Sequence, residues 1–152
     1  MGGFVRREGE VQVLLGDDER RLVAVALRIL EDVEGDSDDP GVARLRYSAH
    51  PDDADADDRF RSLTQGMLDE ARRADREALG GTLQARRISI EEAEAWMRVI
   101  GEARLVLGAR AGLVEDGWEE EPGGAEETPP VEVMLVGMLG RLQDELVMAL
   151  LD

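Results

Sequence analysis

Residues 131–151 read VEVMLVGMLGRLQDELVMALL, and this stretch constrains the fold more than any other. As a helix it places Val131, Met134, Leu135, Met138, Leu139, Leu142, Leu146, Val147, Leu150 and Leu151 on more than one face. A helix so apolar needs cover on several sides, so it is expected at the centre of a bundle or in a subunit interface. Thr128-Pro129-Pro130 marks its start, where proline is tolerated. Glu132, Arg141, Gln143, Asp144 and Glu145 interrupt it, so it falls short of the roughly 18 unbroken apolar residues of a membrane span.

Three further helices are available to cover it. Asp17 or Asp18 caps the first, with Leu22, Val25, Ala26, Ile29, Leu30 and Val33 at helical spacing and Gly35 at its end. The second runs from about 58 to 79 on a stripe of Phe60, Leu63, Met67, Ala71, Ala74 and Ala78, with Gly80-Gly81 as the stop. The third has the clearest start. Ser89-Ile90-Glu91-Glu92 is a capping box, in which Ser89 and Glu92 satisfy each other's orphan amides. Its stripe is Ala93, Trp96, Met97, Ile100, Ala103, Leu107 and Ala111, and Gly112 closes it. Ahead of all four, Phe4–Arg7 and Val11–Leu15 flank a glycine turn at Glu8-Gly9-Glu10 and read as a hairpin. The expectation is a mainly α, four-helix bundle-like single domain over 1–152, with a small N-terminal β-hairpin and two acidic loops.

Those loops carry most of the charge. The net charge is −17. Residues 34–58 hold nine acids against Arg44 and Arg46, and 115–127 hold seven acids and no base, which together leave −14 of it there. Segments 34–57 and 115–128 read as mobile acidic connections between near-neutral helices. Direct nucleic-acid binding is disfavoured, because the phosphate contribution needs a basic surface. A basic protein partner is the easier expectation. All 18 basic residues are arginine, with no lysine and no asparagine, as in a high-GC genome. There is no cysteine, hence no disulfide and no thiolate chemistry, which suits a reducing compartment. The N-terminus lacks the apolar run of a signal peptide, and a cytoplasmic protein without membrane anchorage is expected.

Catalytic motifs fare poorly. His50-Pro51-Asp52-Asp53 looks like the zinc motif of LmbE-type N-acetylglucosaminyl deacetylases, in which His and Asp bind metal and a second Asp acts as base. Those enzymes need a second His-bearing motif and a larger Rossmann-like domain, whereas this chain has one histidine. His50, Asp52 and Asp53 stay as metal candidates for an alternative reading, a small metal-dependent hydrolase. Asp53-Ala54-Asp55-Ala56-Asp57 resembles the start of a calcium loop, but the sixth and twelfth positions hold Asp58 and Thr64 instead of Gly and Glu. No nucleophile triad and no phosphate loop are present. The chain therefore reads as non-enzymatic, with no cofactor.

Two features point to interaction instead. Trp118, beside Glu119 and Glu120, is a lone aromatic in an acidic segment and a candidate partner anchor. Arg104 and Arg110 lie in or beside the core stripe of the third helix, where a partly buried arginine needs a carboxylate or carbonyl partner.

In order along the chain, several short pieces resemble an actinobacterial family of uncharacterised proteins, the domain-of-unknown-function family numbered two thousand and seventeen. They are Phe4-Val5-Arg6-Arg7, Phe60-Arg61-Ser62-Leu63-Thr64, Glu92-Ala93-Glu94-Ala95-Trp96, Arg104–Arg110 and Leu139–Val147. The resemblance implies genes beside those for the ClpS protease adaptor and a cysteine-biosynthesis cluster with a sulfur-carrier protein. It also implies a role in oxidative-stress-responsive transcription regulation, with a cysteine-pair switch and a sigma factor as partner. This chain departs from that pattern, since without cysteine it cannot form the switch disulfide. The expected function is a protein-interaction module, a stress-related transcription regulator acting through transcription machinery or a sigma factor. A helical scaffold that forms a homodimer through the last helix is a further alternative.

Overall fold

A computed structural model describes residues 2–33, 54–112 and 130–152, with side chains of the second segment from residue 66 onward. Strands β1 (Phe4–Arg7) and β2 (Glu10–Val13) form the expected hairpin, with Arg7 opposite Glu10. The turn is the two-residue kind. Its central residues Glu8 and Gly9 have φ of 53° and 83°, the positive pair that a right-twisted hairpin needs. A third strand, β3 (Arg87–Ser89), pairs antiparallel with β2 and completes a sheet of order β1-β2-β3. Three residues are too few to show a period, so periodicity does not reveal β3 in the sequence.

Four helices follow the expected order. Helix α1 covers Asp17–Val33. Its start differs from the expected Asp cap: the Gly16 carbonyl accepts from the Arg20 amide, and Glu19 Oε1 accepts from the Gly16 amide at 3.2 Å. Asp17, Asp18 and Glu19 suit the positive end of the helix dipole. The stripe includes Val23, fully buried, in place of Val25, which is 40% exposed.

Helix α2 covers Ala54–Thr82, longer than expected at both ends. Gly80 and Gly81 lie inside it. Glycine costs about 1 kcal/mol relative to alanine within a helix. Here the last turn is held by Leu79, fully buried, and by the Thr82 hydroxyl, which donates to the Ala78 carbonyl at 2.6 Å. The expected apolar stripe is also displaced. Met67 is 72% exposed, and Ala71 and Ala74 face solvent. The face turned to the next helix is polar, Arg72 and Asp75 leading to Leu79, so a search for apolar periodicity selects the neighbouring face. The start of α2 at Ala54 also turns Asp55 and Asp57 into helical residues, which removes the resemblance to a calcium loop.

Helix α3 covers Ile90–Arg110 and opens on the expected capping box. Ser89 Oγ accepts from the Glu92 amide at 3.0 Å, and Glu92 Oε1 accepts from the Ser89 amide at 2.7 Å. Gly112, with φ of 78°, closes it in the left-handed conformation. Ala93, Ala95, Trp96, Val99, Ile100, Ala103, Val106, Leu107 and Gly108 are all buried. This helix, and not the last one, is the centre of the fold: α1, α2, the sheet and the last helix all pack on it. Phe4 meets Trp96 edge to face, with centroids 6.1 Å apart at 86°, which fastens the sheet to α3.

Helix α4 covers Val131–Leu151 after Pro130. One face, with Val136, Leu139, Leu142, Leu146 and Ala149, lies against α3. Two bonds tie it to the N-terminal strand: the Gly3 amide donates to Glu145 Oε2 at 3.0 Å, and Arg6 Nη1 donates to the Leu150 carbonyl at 2.9 Å. The opposite face has no cover among the described residues. No helix among the described residues is long and apolar enough to cross a membrane.

Candidate functional site

The outer face of α4 carries five of the ten large hydrophobic residues exposed among the described residues. Val131, Met134, Met138, Met148 and Leu151 are 63, 47, 48, 64 and 76% exposed. They recur at steps of three, four, ten and three residues, which keeps them on one side of the helix. Arg141 and Asp144 are exposed among them. Isolated exposed apolar residues need no explanation, but a run of them along one face does. Methionine suits such a surface because its unbranched thioether refits to different partners.

What holds this face in position is the seam between α3 and α4. Arg104 Nη1 donates to Gln143 Oε1 at 2.7 Å, and Gln143 Nε2 donates to the Met97 carbonyl at 3.1 Å. Each of these side chains lies over a glycine of the opposite helix. A Cβ at Gly140 would stand 3.0 Å from Arg104 Nη2, and one at Gly101 would stand 2.8 Å from Gln143 Nε2. The two glycines let the helices approach, and the two polar side chains fix their register. Arg104 Nε is buried at the seam without an acceptor among the described residues. Arg104 therefore meets a carbonyl oxygen, that of the Gln143 side-chain amide, and it faces the neighbouring helix. Arg110 is exposed in the last turn of α3, where a cation complements the helix dipole.

A second seam joins α2 to α3 through charge. Arg98 holds Asp75 with two bonds, Nε to Oδ2 at 2.8 Å and Nη2 to Oδ1 at 2.9 Å. This hydrogen bond to Asp75 raises the Arg98 pKa. Arg72 Nε lies 3.7 Å from Glu102 Oε1. Burial pushes the Glu102 carboxyl above its ordinary value, against the pull of Arg72, Arg76 and Arg98.

Among the sequence candidates, Arg104 and Arg110 lie on α3, one at the α4 seam and one at its end. His50, Asp52, Asp53, Trp118, Glu119 and Glu120 lie outside the described residues. Among the described residues no group of three or more His, Cys, Asp or Glu is arranged to hold a metal ion. The sequence reading leaves α4 between the bundle centre and an interface, because an apolar count does not separate its buried residues from its exposed ones. The separation of Met134 and Met138 from Leu139 and Leu142 is the signal that divides the two faces.

A family model described as a domain of unknown function (DUF2017) matches residues 1–150. No curated protein and no solved structure matches the chain.

Proposed function

We propose that this chain, which belongs to the domain family of unknown function, is a non-enzymatic module that binds a protein partner. The observation that carries this reading is the outer face of α4, with Val131, Met134, Met138, Met148 and Leu151 exposed on a helix anchored to the fold centre. The partner it suits presents apolar side chains to this face and basic groups to the acidic segments 34–58 and 115–127, which carry −14 of the net charge of −17. Such complementarity speeds encounter and selects partners, while the apolar contact supplies affinity. The family resemblance proposes the setting: a stress-related regulator in the cytoplasm of an actinobacterium, bound to transcription machinery or a sigma factor. With no cysteine in the chain, regulation would work through binding and not through a thiol switch.

The test is a tagged capture from native-host lysate at moderate salt, read by mass spectrometry. A second chain has residues 115–127 replaced by a neutral linker. Enrichment of polymerase or a sigma factor, weakened in the linker chain, supports the reading. Failure to retain any transcription component removes the regulatory setting. Two alternatives give distinct results. A hydrolase centred on His50, Asp52 and Asp53 would show stoichiometric zinc that His50→Ala abolishes. A homodimeric scaffold would scatter light as a dimer without any partner.

A further inference from the structure

The chain has 35 acidic and 18 basic residues, so a site that gathers arginines and no acid stands out. Arg20, Arg86 and Arg87 line one cavity of about 410 Å³, together with Gln12, Val13, Leu14 and Leu15. No acid lines it. Among the described residues none of the three lies within ion-pairing distance of a carboxylate. The nearest acids in sequence are engaged elsewhere: Glu19 accepts from the Gly16 amide, and Asp18 pairs with Arg21 at 3.3 Å.

The site is built into the backbone. Arg20 is only 8% exposed, and its two recorded partners are neutral. Nη1 donates to the Leu83 carbonyl at 2.6 Å, and Nη2 to the Val13 carbonyl at 3.4 Å. A buried guanidinium held by carbonyls alone lies where water screens charge poorly and no carboxylate offsets it. The Val13 amide donates to the Arg86 carbonyl at 2.8 Å, and Arg87 pairs with Gln12 in the sheet. The main chain thus fixes where Arg86 and Arg87 leave the strand. Arg20, Arg86 and Arg87, whose planar guanidinium groups can each bind an oxyanion through two parallel hydrogen bonds, line the cavity together with Val13, Leu14 and Leu15. The volume lies in the range of small-molecule sites.

We infer that this cavity binds a compact organic oxyanion, a phosphate monoester with a short aliphatic body. The phosphoryl group takes the arginines, and the aliphatic part lies on Leu14, which is 49% exposed. This inference does not depend on the α4 surface.

Isothermal calorimetry with propyl phosphate, inorganic phosphate and propanol tests it. Three chains are compared: the unaltered protein, Arg86→Gln/Arg87→Gln, and Arg21→Gln. Arg86 and Arg87 are exposed, so their replacement leaves the fold in place, as a circular dichroism melt checks. Arg21 is also exposed but lies outside the cavity. Propyl phosphate is expected to bind more tightly than inorganic phosphate, and propanol not at all. The double variant is expected to lose at least about tenfold in affinity, a loss of about 1.4 kcal/mol, while Arg21→Gln binds as the unaltered chain does. No binding of propyl phosphate in the millimolar range, or equal loss in Arg21→Gln, would overturn the proposal.

Discussion

The indole Nε1–H of Trp96 donates to the Thr82 hydroxyl at 2.7 Å. That hydroxyl in turn donates a hydrogen bond to the Ala78 carbonyl, so one side chain ends α2 and satisfies the polar atom of the most buried aromatic ring. The bond explains how Trp96 can lie at the fold centre with no exposed surface. Thr82→Val keeps the shape and strands the indole N–H. A loss of about 1–3 kcal/mol in urea unfolding is expected. Thr82→Ser, which keeps the hydroxyl, should lose less. No loss in Thr82→Val beside a loss in Thr82→Ser would show that packing of the methyl group matters and the bond does not.

The reciprocal glycines of the α3–α4 seam make a second prediction. Gly140→Ala forces its new carbon against the guanidinium of Arg104, which Gln143 holds in place. Overpacking of this kind costs about 1–3 kcal/mol, although alanine gains up to about 1 kcal/mol of helix propensity. The net effect expected is destabilisation at Gly140 and neutrality or gain at Gly137. At Gly137 nothing lies within 4 Å of the added carbon. Thermal melts of the two variants check the contrast.

Glu102 gives a pH dependence with a definite sign. Burial raises its carboxyl in the folded protein above the unfolded value, so folding favours the protonated form. Its contribution is fully present below the unfolded pKa and is lost as pH rises through the folded one. Glu102→Gln cannot ionise. Relative to the unaltered chain it should therefore gain stability between about pH 4 and neutrality. Urea midpoints across that range measure this. A variant that instead loses ground with rising pH would show that the attraction of Arg72 at 3.7 Å outweighs burial.

Arg98 and Asp75 predict a small effect. Their two-bond geometry is good, but Arg98 is 49% exposed. Exposed pairs contribute about 0.2–1 kcal/mol. A double-mutant cycle on Arg98→Gln and Asp75→Asn should return a coupling in that range, reduced by added salt.

Much of the fold is legible in the sequence where local chemistry decides it. The Ser89–Glu92 box marks the start of α3 because both of its bonds form within one turn. Gly9 marks the hairpin because a two-residue turn demands positive φ. What escapes reading depends on partners distant in sequence. Arg72 and Asp75 turn inward on α2 only because Glu102 and Arg98 receive them, and that pairing has no local signature. Strand β3 exists because β2 offers it an edge. The apolar count of α4 suggests a central helix, yet position in the bundle is set by which helix is small enough to be approached from all sides. Helix α3, with Ala93, Ala95, Gly101, Ala103 and Gly108, is that helix. Of the site residues that the sequence suggests, Arg104 and Arg110 fall on described helices, whereas Trp118 and His50 fall outside the described residues.

The central claim is that α4 presents its methionine face to a partner. The direct measurement is capture of polymerase or a sigma factor from native-host lysate by the unaltered chain and by Met134→Glu/Met138→Glu. Both positions are about half exposed, at 47 and 48%, so the variant should melt within about 0.5 kcal/mol of the unaltered chain. The account predicts that the folded variant loses the partner. Undiminished capture by the variant would contradict it.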